Sequence, residues 1–220
     1  MQNNIYLTDT YQYDVETTLI DQGQDDEGNW VALTDNIFHP QGGGQPADTG
    51  WINDQAVRIK KHENGLIVAY LTNALSLDRD EKVNARIDGE KRRYHAALHT
   101  AGHLLNWELR RFGWMAQKGH HFPDESRVEF TMFSDDATPY EQLDSQQIES
   151  VVNQSLNSGR EVNIMQNGEM RISYIDQTEE MPCGGTHVNS LGEIHDFSIK
   201  SMKYKKNILR VSYDAKHIDI

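Results

Sequence analysis

Hydrophobic and polar residues alternate in short runs along the first part of the chain, which is the pattern of β-strands. Asn64-Gly65 lies between two such runs and is typical of a hairpin turn, because both residues tolerate positive φ. Short strands at this spacing, without a helical period, predict a small antiparallel β-barrel over residues 1–88. The predicted strands cover residues 5–7, 11–20, 30–33, 55–61, 66–71 and 82–87.

The hydrophobic period changes after Asp88-Gly89. Apolar residues then recur every three or four positions, which predicts an amphipathic helix over residues 90–112 that Gly113 ends. A second helix is predicted to begin with Thr138 as its cap and Pro139 at its first position, and to stop at Gly159. Further strands are predicted over residues 127–133, 161–165, 170–175, 193–201 and 208–213. Residues 89–220 are therefore expected to form a second domain of two helices against an antiparallel sheet, and the fold class is α+β.

Composition and charge narrow the class of protein. The chain has 220 residues, 37% of them hydrophobic, which is enough for a packed core. Its net charge of −13 argues against broad affinity for nucleic acids. Positive charge is concentrated in two blocks, one from Lys91-Arg92-Arg93 to Arg127 and one from Lys200 to Lys216, which are either solvated faces or phosphate contacts. The chain lacks a long apolar run and a signal-like start, so we expect a soluble cytoplasmic protein that needs no membrane.

The strongest chemical signal is Cys183-Gly184-Gly185-Thr186-His187, which offers two metal ligands four residues apart. The candidates for two further ligands lie upstream on the first helix, where His95, His99 and His103 are successive i, i+4 neighbours on one face. A pair of helical histidines with a cysteine and a histidine from a loop is a plausible tetrahedral zinc site. The spacing permits either adjacent histidine pair, and the alternative is a buried thiol with no metal.

A second unusual stretch, residues 38–50, contains Gly42-Gly43-Gly44 between two prolines. Consecutive glycines let a backbone come very close to another surface and present its N–H groups to an anion or carbonyl. The alternative is an ordinary surface loop. The segment does not match the strand-glycine-helix fingerprint of phosphate binding.

These stretches carry a resemblance to a known family. Residues 38–50, 99–105, 116–119 and 183–188 are similar, in this order, to the motifs of the alanyl-tRNA synthetase editing domain, and the whole pattern resembles the freestanding AlaX editing proteins. The similarity covers about residues 5–215. It implies one zinc ion per chain, with His99, His103, Cys183 and His187 as ligands and His95 outside the ligand set. It also implies hydrolysis of tRNA(Ala) mischarged with serine or, in some members, glycine, so that mischarged tRNA(Ala) is the partner.

The resemblance also assigns residues around the metal. Gln117 is implied to line the pocket that recognises the serine hydroxyl, since an amide can both donate and accept a hydrogen bond. The implied catalytic group is Gln117, Thr100 and Gly102, and the implied substrate-binding residues are Gly42, Gly43, Gly44, Gln45, Lys118, His120 and Thr186. The chain departs from the family pattern at Gly102, where Thr or Ser is common, at His120-His121, where a small polar residue is expected, and at His39, where Tyr is usual. These departures put the identity of the accepted amino acid in question.

Two mechanisms are compatible with such a site. Either zinc activates the attacking water, or the metal only organises side chains while a hydroxyl of the tRNA assists. His95, His120 and His121 are possible proton carriers.

Two other functions remain open, namely a zinc hydrolase for another aminoacyl ester or small molecule, and a non-catalytic zinc-containing module associated with translation. The sequence makes no prediction of oligomeric state.

Overall fold

The computed structural model describes residues 1–73, 81–168 and 170–220. It divides into two compact units: Met1–Gly42 with Pro46–Arg93, and Gly43–Gln45 with Tyr94–Ile220. Three residues of the Gly-rich segment therefore belong to the second unit. Within the described ranges, no helix combines the length and the apolar character needed to cross a lipid bilayer.

The described part of the first unit contains nine strands. They are β1 (Asn3–Asn4), β2 (Asp14–Thr17), β3 (Leu19–Asp25), β4 (Gly28–Leu33), β5 (Asp35–Asn36), β6 (Gly50–Ile52), β7 (Gln55–Lys61), β8 (Ile67–Leu71) and β9 (Val83–Ile87). The two short strands β1 and β5 pair in parallel, and the other seven form one antiparallel sheet in the order β2-β9-β6-β7-β8-β4-β3. Because β2 and β3 are the two ends of this order, the observed element is a seven-stranded sheet, and its closure into a barrel stays a prediction.

Alternation explains the core of this sheet. In β9, Val83, Ala85 and Ile87 are buried while the two residues between them are exposed, so one face of the strand packs inward. The predicted hairpin at Asn64-Gly65 is confirmed, since β7 and β8 pair antiparallel and Gly65 has a φ of 86° in the connection. The strand prediction for residues 55–61 matches β7.

Two predictions in the first unit are wrong. Residues 5–7 form a 3₁₀ helix, in which the Thr8 N–H donates to the Ile5 carbonyl. A three-residue run is too short for alternation to separate a strand from a helical turn. Residues 11–20 are not one strand, because β2 ends at Thr17 and β3 begins at Leu19 as the chain passes between opposite ends of the sheet.

The second unit combines two helices with antiparallel strands. Its elements are α1 (Gly89–Arg110), which begins in the last residues of the first unit, β10 (Trp114–His120), β11 (Arg127–Met132), α2 (Ser145–Leu156), β12 (Val162–Asn167), β13 (Met170–Ile175), β14 (Met181–Pro182), β15 (Ile194–Lys205) and β16 (Ile208–His217). Four strands pair in the order β10-β11-β16-β15, and three pair in the order β12-β13-β14. The α+β class is confirmed.

Helix α1 contributes seven buried residues to the hydrophobic core of the second unit. Leu98, Leu104 and Leu105 are fully buried and share one hydrophobic cluster with Phe130 of β11 and Val211 of β16. The predicted helix over residues 90–112 is confirmed within two residues at its end, where Gly113 takes a φ of 80° and its N–H donates to the Arg110 carbonyl. This packing holds the histidine-bearing face of α1 in place.

The predicted start of the second helix is wrong, and the strands β10 and β14 are not among the predicted ones. Helix α2 begins at Ser145 with Asp144 as its cap, whose side chain accepts from the Gln146 N–H, and not at Thr138. The segment after Pro139 forms a separate 3₁₀ turn over Tyr140–Gln142. Strand β10 escaped prediction because its pairing with β11 shifts register between Ala116 and Lys118, so a bulge interrupts the alternation.

Candidate metal centre

Four side chains of the second unit converge on one point. His99 and His103 lie one helical turn apart on α1, and Cys183 and His187 lie in the loop that follows β14. Each offers one ligand atom, and these four atoms all lie within 4.8 Å of one another. The structure thus brings together the four residues that the motifs singled out, and His95 is not among them.

The distances within the cluster fit a tetrahedral ion. The Cys183 Sγ atom lies 3.5 Å from His99 Nε2 and 3.2 Å from His187 Nε2. A zinc ion with Zn–N of about 2.05 Å and Zn–S of about 2.3 Å separates a sulfur and a nitrogen ligand by about 3.5 Å. Three imidazoles and a thiolate are also the ligand types that zinc prefers. The donor set therefore fits one ion of this class.

Burial keeps the imidazoles in the form that binds metals. Burial, assisted by the positive charge of Arg171, lowers the pKa of His99 to about 3. Burial also places the pKa of His187 well below its ordinary value, with the neighbouring histidines and Arg171 adding to the effect. Both rings are neutral at pH 7, as coordination requires.

The thiol of Cys183 is biased towards the thiolate. Burial alone would raise its pKa, but a hydrogen bond and charge from His103, the backbone N–H of Gly185 and the charge of Arg171 together lower it. Arg171 of β13 also donates from Nη1 to the Cys183 carbonyl at 2.6 Å, and the Cys183 N–H donates to the Arg171 carbonyl at 3.0 Å. The same arginine therefore holds the loop and favours the negative charge on its ligand.

Gln45 orients the ring of His99. Its Oε1 accepts from the Thr186 backbone N–H at 2.9 Å and lies 2.9 Å from His99 Nδ1, while its Nε2 donates to Thr186 Oγ1 at 2.9 Å. An amide oxygen can only accept, so the proton of His99 is on Nδ1 and the lone pair of Nε2 faces the cluster. Gln45 is fully buried and occupies the outer-shell position that fixes a metal-binding histidine.

Thr100 has the corresponding place beside His187. Its Oγ1 lies 3.0 Å from His187 Nδ1 and accepts from the Val188 N–H at 3.3 Å. Thr100 and Thr186 are both fully buried, and these contacts occupy their hydroxyl groups. Three of the residues implied to act on the substrate, Gln45, Thr100 and Thr186, are thus in contact with the ligands and the loop.

A cavity of about 190 Å³ lies against the cluster. Besides three of the candidate ligands, its lining includes Gly43, Gly102, Asn106, Gly119, His121 and Met181. Gly43 contributes from the Gly-rich segment, and the neighbouring Gly44 carbonyl accepts from the His121 N–H at 2.7 Å. The cavity is small and combines polar with apolar groups.

His121 is the most constrained side chain of this lining. Its ring stacks on His99 with centroids 4.6 Å apart, and its Nδ1 lies 2.7 Å from the hydroxyl of Tyr213, which donates to the Leu98 carbonyl at 2.7 Å. Because the tyrosine proton is used, Nδ1 of His121 is the donor and Nε2 is an acceptor. Nε2 lies beside Gly119, where an added Cβ would stand 2.4 Å from it. Burial holds the pKa of His121 well below its ordinary value, so the ring is neutral.

The other predicted site residues lie elsewhere. Gln117 is exposed at the bulge of β10, Lys118 follows it in an exposed position, and Gly42 is exposed. None of these three lines the cavity in the part of the chain that the structure describes. His120 stacks on Phe122 with centroids 4.2 Å apart, and His39 belongs to the first unit, where its ring packs edge-on against Tyr6. Sequence reasoning missed Tyr213, for which no local motif gives a signal.

Fold and site together define an α+β protein with a His₃Cys cluster that could hold one metal ion, beside a small cavity. The chain is 29% identical over 199 residues to the alanyl-tRNA editing protein AlaX-M of Pyrococcus horikoshii, covering 88% of each protein. It is also 34% identical over 143 residues to the AlaX-M protein of Saccharolobus solfataricus, covering 62% of this chain and 59% of that protein. The chain is thus a relative of the AlaX-type alanyl-tRNA editing proteins, as its motifs indicated.

A longer class of protein also matches. The alanine–tRNA ligase of Halobacterium salinarum is 30% identical over an alignment of 253 positions that covers 96% of this chain and 26% of the ligase. The chain therefore spans about a quarter of the ligases that it matches. No family model matches the chain.

Proposed function

We propose that this protein is an aminoacyl-tRNA deacylase that hydrolyses mischarged tRNA(Ala), with Ser-tRNA(Ala) as its main substrate and Gly-tRNA(Ala) as a second one. The observation that carries the proposal is a four-ligand centre beside a small cavity, in a chain related over 88% of its length to an alanyl-tRNA editing protein. In the reaction, a water oxygen bonds to the ester carbonyl carbon and the bond from that carbon to the ribose oxygen breaks. The products are the free amino acid and a tRNA with its terminal hydroxyl restored.

We assign the metal as one zinc ion held by His99, His103, Cys183 and His187. The mixed nitrogen and sulfur donors and their separations support zinc over a hard cation such as Mg²⁺, which takes oxygen ligands. With four protein ligands the shell of a bound zinc ion would be full, so the ion would supply a fixed positive charge beside the cavity and hold the ligand loop on α1. Positioning of the ester is then left to the residues that line the cavity.

We assign recognition of the serine hydroxyl to His121. Its Nε2 is an acceptor whose orientation is fixed through Tyr213, and it lies beside Gly119, another residue of the cavity lining. A serine hydroxyl can donate a hydrogen bond to this fixed acceptor. With alanine the acceptor would stay unpaired, so the site would favour the seryl ester. Gln117 is less suited to this role, since it is exposed at the bulge of β10.

The cavity has room for a small acyl group beside His121. Gly102, Gly43 and Gly119 form part of its wall, and its volume is about 190 Å³. Removal of the hydroxyl group from the substrate is expected to lower the rate because His121 Nε2 would lose its donor, so we assign selection against alanine to this acceptor and not to size.

The test is a deacylation panel with Ser-, Gly- and Ala-charged tRNA(Ala), with zinc measured on the same protein sample. We expect Ser-tRNA(Ala) to be hydrolysed fastest and Ala-tRNA(Ala) to be spared. Absence of hydrolysis of all three by a zinc-loaded protein would overturn the proposal. His103→Ala is expected to lose zinc and activity together, while His195→Ala, which removes a partly exposed histidine outside the cluster, is the matched control.

A further inference from the structure

One face of the four-stranded sheet of the second unit is turned away from the core. Val128, Phe130, Leu209 and Val211 are buried, so the residues that alternate with them in β11 and β16 point outward. Cross-strand partners share a face, and the register pairs Lys118 with Glu129, Glu129 with Arg210, and Arg210 with Lys203. One row of outward residues therefore crosses all four strands.

Basic side chains dominate this side of the sheet. Six of the 21 lysines and arginines of the chain lie on it or on the adjoining hairpin turn, namely Lys118, Arg127, Lys203, Lys205, Lys206 and Arg210, and we call this set the basic face. Glu129 is the acidic residue of the row, and it pairs with Arg210 at 2.6 Å. Among the described residues, no carboxylate lies within ion-pair distance of the four lysines. In a chain of net charge −13, this is a local concentration of unpaired positive charge.

The first three cations of the other basic block, Lys91-Arg92-Arg93, all contact neighbouring groups of the first unit. Arg92 is fully buried and ion-paired with Asp48, and its guanidinium also donates to the Ile37 carbonyl at 2.7 Å. Arg93 lies 5.6 Å from the ring centroid of Tyr13, and Lys91 is 3.7 Å from Asp88. The expectation that Lys91-Arg92-Arg93 contacts phosphates is therefore not supported for Arg92, which is buried and ion-paired.

The composition of the basic face favours a phosphate backbone over a protein partner. Protein interfaces are depleted in lysine and enriched in aromatic residues, whereas this face has four lysines and, at its tip, the half-exposed Ile208. A depression of about 400 Å³ is lined by Lys203, Lys205, Lys206 and Arg210 together with Ile208 and the ion-paired Glu129, and it gives an anionic strand room to lie between the cationic side chains. Lysines and arginines that reach phosphates fix position without reading sequence.

We propose that the basic face binds the sugar–phosphate backbone of the tRNA whose acyl end enters the cavity. Strand β10 connects the two places, because Ala116 and Gly119 line the cavity while Lys118 stands on the basic face. An RNA strand that crosses the sheet along the row from Lys203 to Lys118 would end beside the metal centre. This inference rests on the proposed function for the identity of the RNA, but its binding step can be measured separately.

The experiment compares two triple variants with the same change in net charge. The first variant removes part of the basic face and carries Lys203→Gln/Lys205→Gln/Lys206→Gln. The control variant removes three exposed lysines of the first unit and carries Lys60→Gln/Lys61→Gln/Lys82→Gln. Binding of uncharged tRNA(Ala) is measured as a function of salt concentration. Each lost phosphate contact lowers the slope of log K against log salt by about 1, so the first variant is expected to lose about 3 units of slope and at least about tenfold in affinity. The control variant is expected to bind like the unaltered protein.

Each outcome decides one proposal. If both triple variants bind tRNA(Ala) equally weakly, or if the first variant binds it as tightly as the unaltered protein, the basic face is not the binding surface. A change in molecular mass of the first variant in solution would also overturn it, because the face would then be a contact between copies. If the unaltered protein binds tRNA through these lysines and hydrolyses none of the charged forms, the proposed function fails while the surface stands. If it hydrolyses Ser-tRNA(Ala) with the same KM in both variants, the surface fails alone.

Discussion

Gly185 lies against the ring of His99. A Cβ added to Gly185 would stand 2.1 Å from His99 Cε1 and 2.8 Å from Gln45 Oε1, whereas a Cβ on the adjacent Gly184 would have no atom within 4 Å. The loop from Cys183 to His187 can therefore reach the two histidines of α1 only because residue 185 has no side chain.

Gly185→Ala is expected to weaken zinc binding by tenfold or more, since the loop or the His99 ring must move out of ligand geometry, and disturbance of the outer shell alone costs about 10–100-fold. Gly184→Ala is the matched control and is expected to bind zinc like the unaltered protein. Competition with a chromophoric chelator measures both affinities. Equal zinc affinity of the two variants would contradict this role of Gly185.

The contact between Gln45 and His99 gives a second prediction. Gln45→Ala removes the acceptor that holds the Nδ1 proton of His99 and leaves the Thr186 N–H without its partner, so zinc affinity is expected to fall about 10–100-fold. Gln41→Ala alters an exposed glutamine of the same segment and is expected to have no effect. In Gln45→Glu a carboxylate can still accept from both groups, so this variant should keep more zinc than Gln45→Ala. A loss as large in Gln45→Glu as in Gln45→Ala would assign the effect to packing.

The sequence was sufficient for features that have a period or a spacing. The 3.6-residue repeat predicted α1, alternation predicted β7 and β13, and the i, i+4 pairs together with the family resemblance selected the four residues that the structure brings together. Each of these signals lies within a short stretch of sequence, and the ligand set combines two such stretches.

Features that depend on which polar residue becomes buried were not predictable. Gln45 lies 54 positions from His99 in the chain, and nothing in its neighbours distinguishes it from the exposed Gln41. Arg92 stands between two basic residues and has the local pattern of a solvated face, yet it is buried against Asp48. Strand β10 was missed because the bulge at Gln117 breaks the alternation that would have predicted it.

The space at Gly102 is occupied by the His121 ring, which gives a third prediction. A Cβ at position 102 would stand 2.5 Å from His121 Cε1 and 2.7 Å from the Tyr213 hydroxyl. Gly102→Ala gains about 1 kcal/mol of helix propensity but forces the ring to move, which costs about 1–3 kcal/mol, so a net destabilisation is expected. In Gly102→Ala/His121→Ala the clash with the ring is absent and the close contact with the Tyr213 hydroxyl remains, so the two changes should couple by about 0.5–3 kcal/mol. Urea unfolding of the zinc-loaded proteins measures this cycle, and additive effects would show that the ring does not limit residue 102.

The buried pair of Arg92 and Asp48 gives a prediction about the stability of the first unit. The Arg92 guanidinium donates from Nε to Asp48 Oδ1 at 2.9 Å and from Nη1 to the Thr10 carbonyl at 3.1 Å, and Asp48 also accepts from the His39 N–H at 2.6 Å. Arg92→Met leaves a buried carboxylate without its counter-ion, so the free energy of unfolding is expected to fall by about 3–5 kcal/mol.

Two further variants separate charge from packing at this pair. Lys91→Met removes the same charge from an exposed neighbour, and its expected effect is below about 1 kcal/mol. Arg92→Met/Asp48→Asn removes both charges, so it should recover part of the loss, because the uncompensated carboxylate is gone. The measurement is denaturant unfolding monitored by tryptophan fluorescence. Trp30 and Trp51 belong to the first unit, so their signal reports the unfolding of the unit that contains the ion pair. A loss in Arg92→Met no larger than that in Lys91→Met would refute the buried ion pair and return Arg92 to the residues available for phosphate binding.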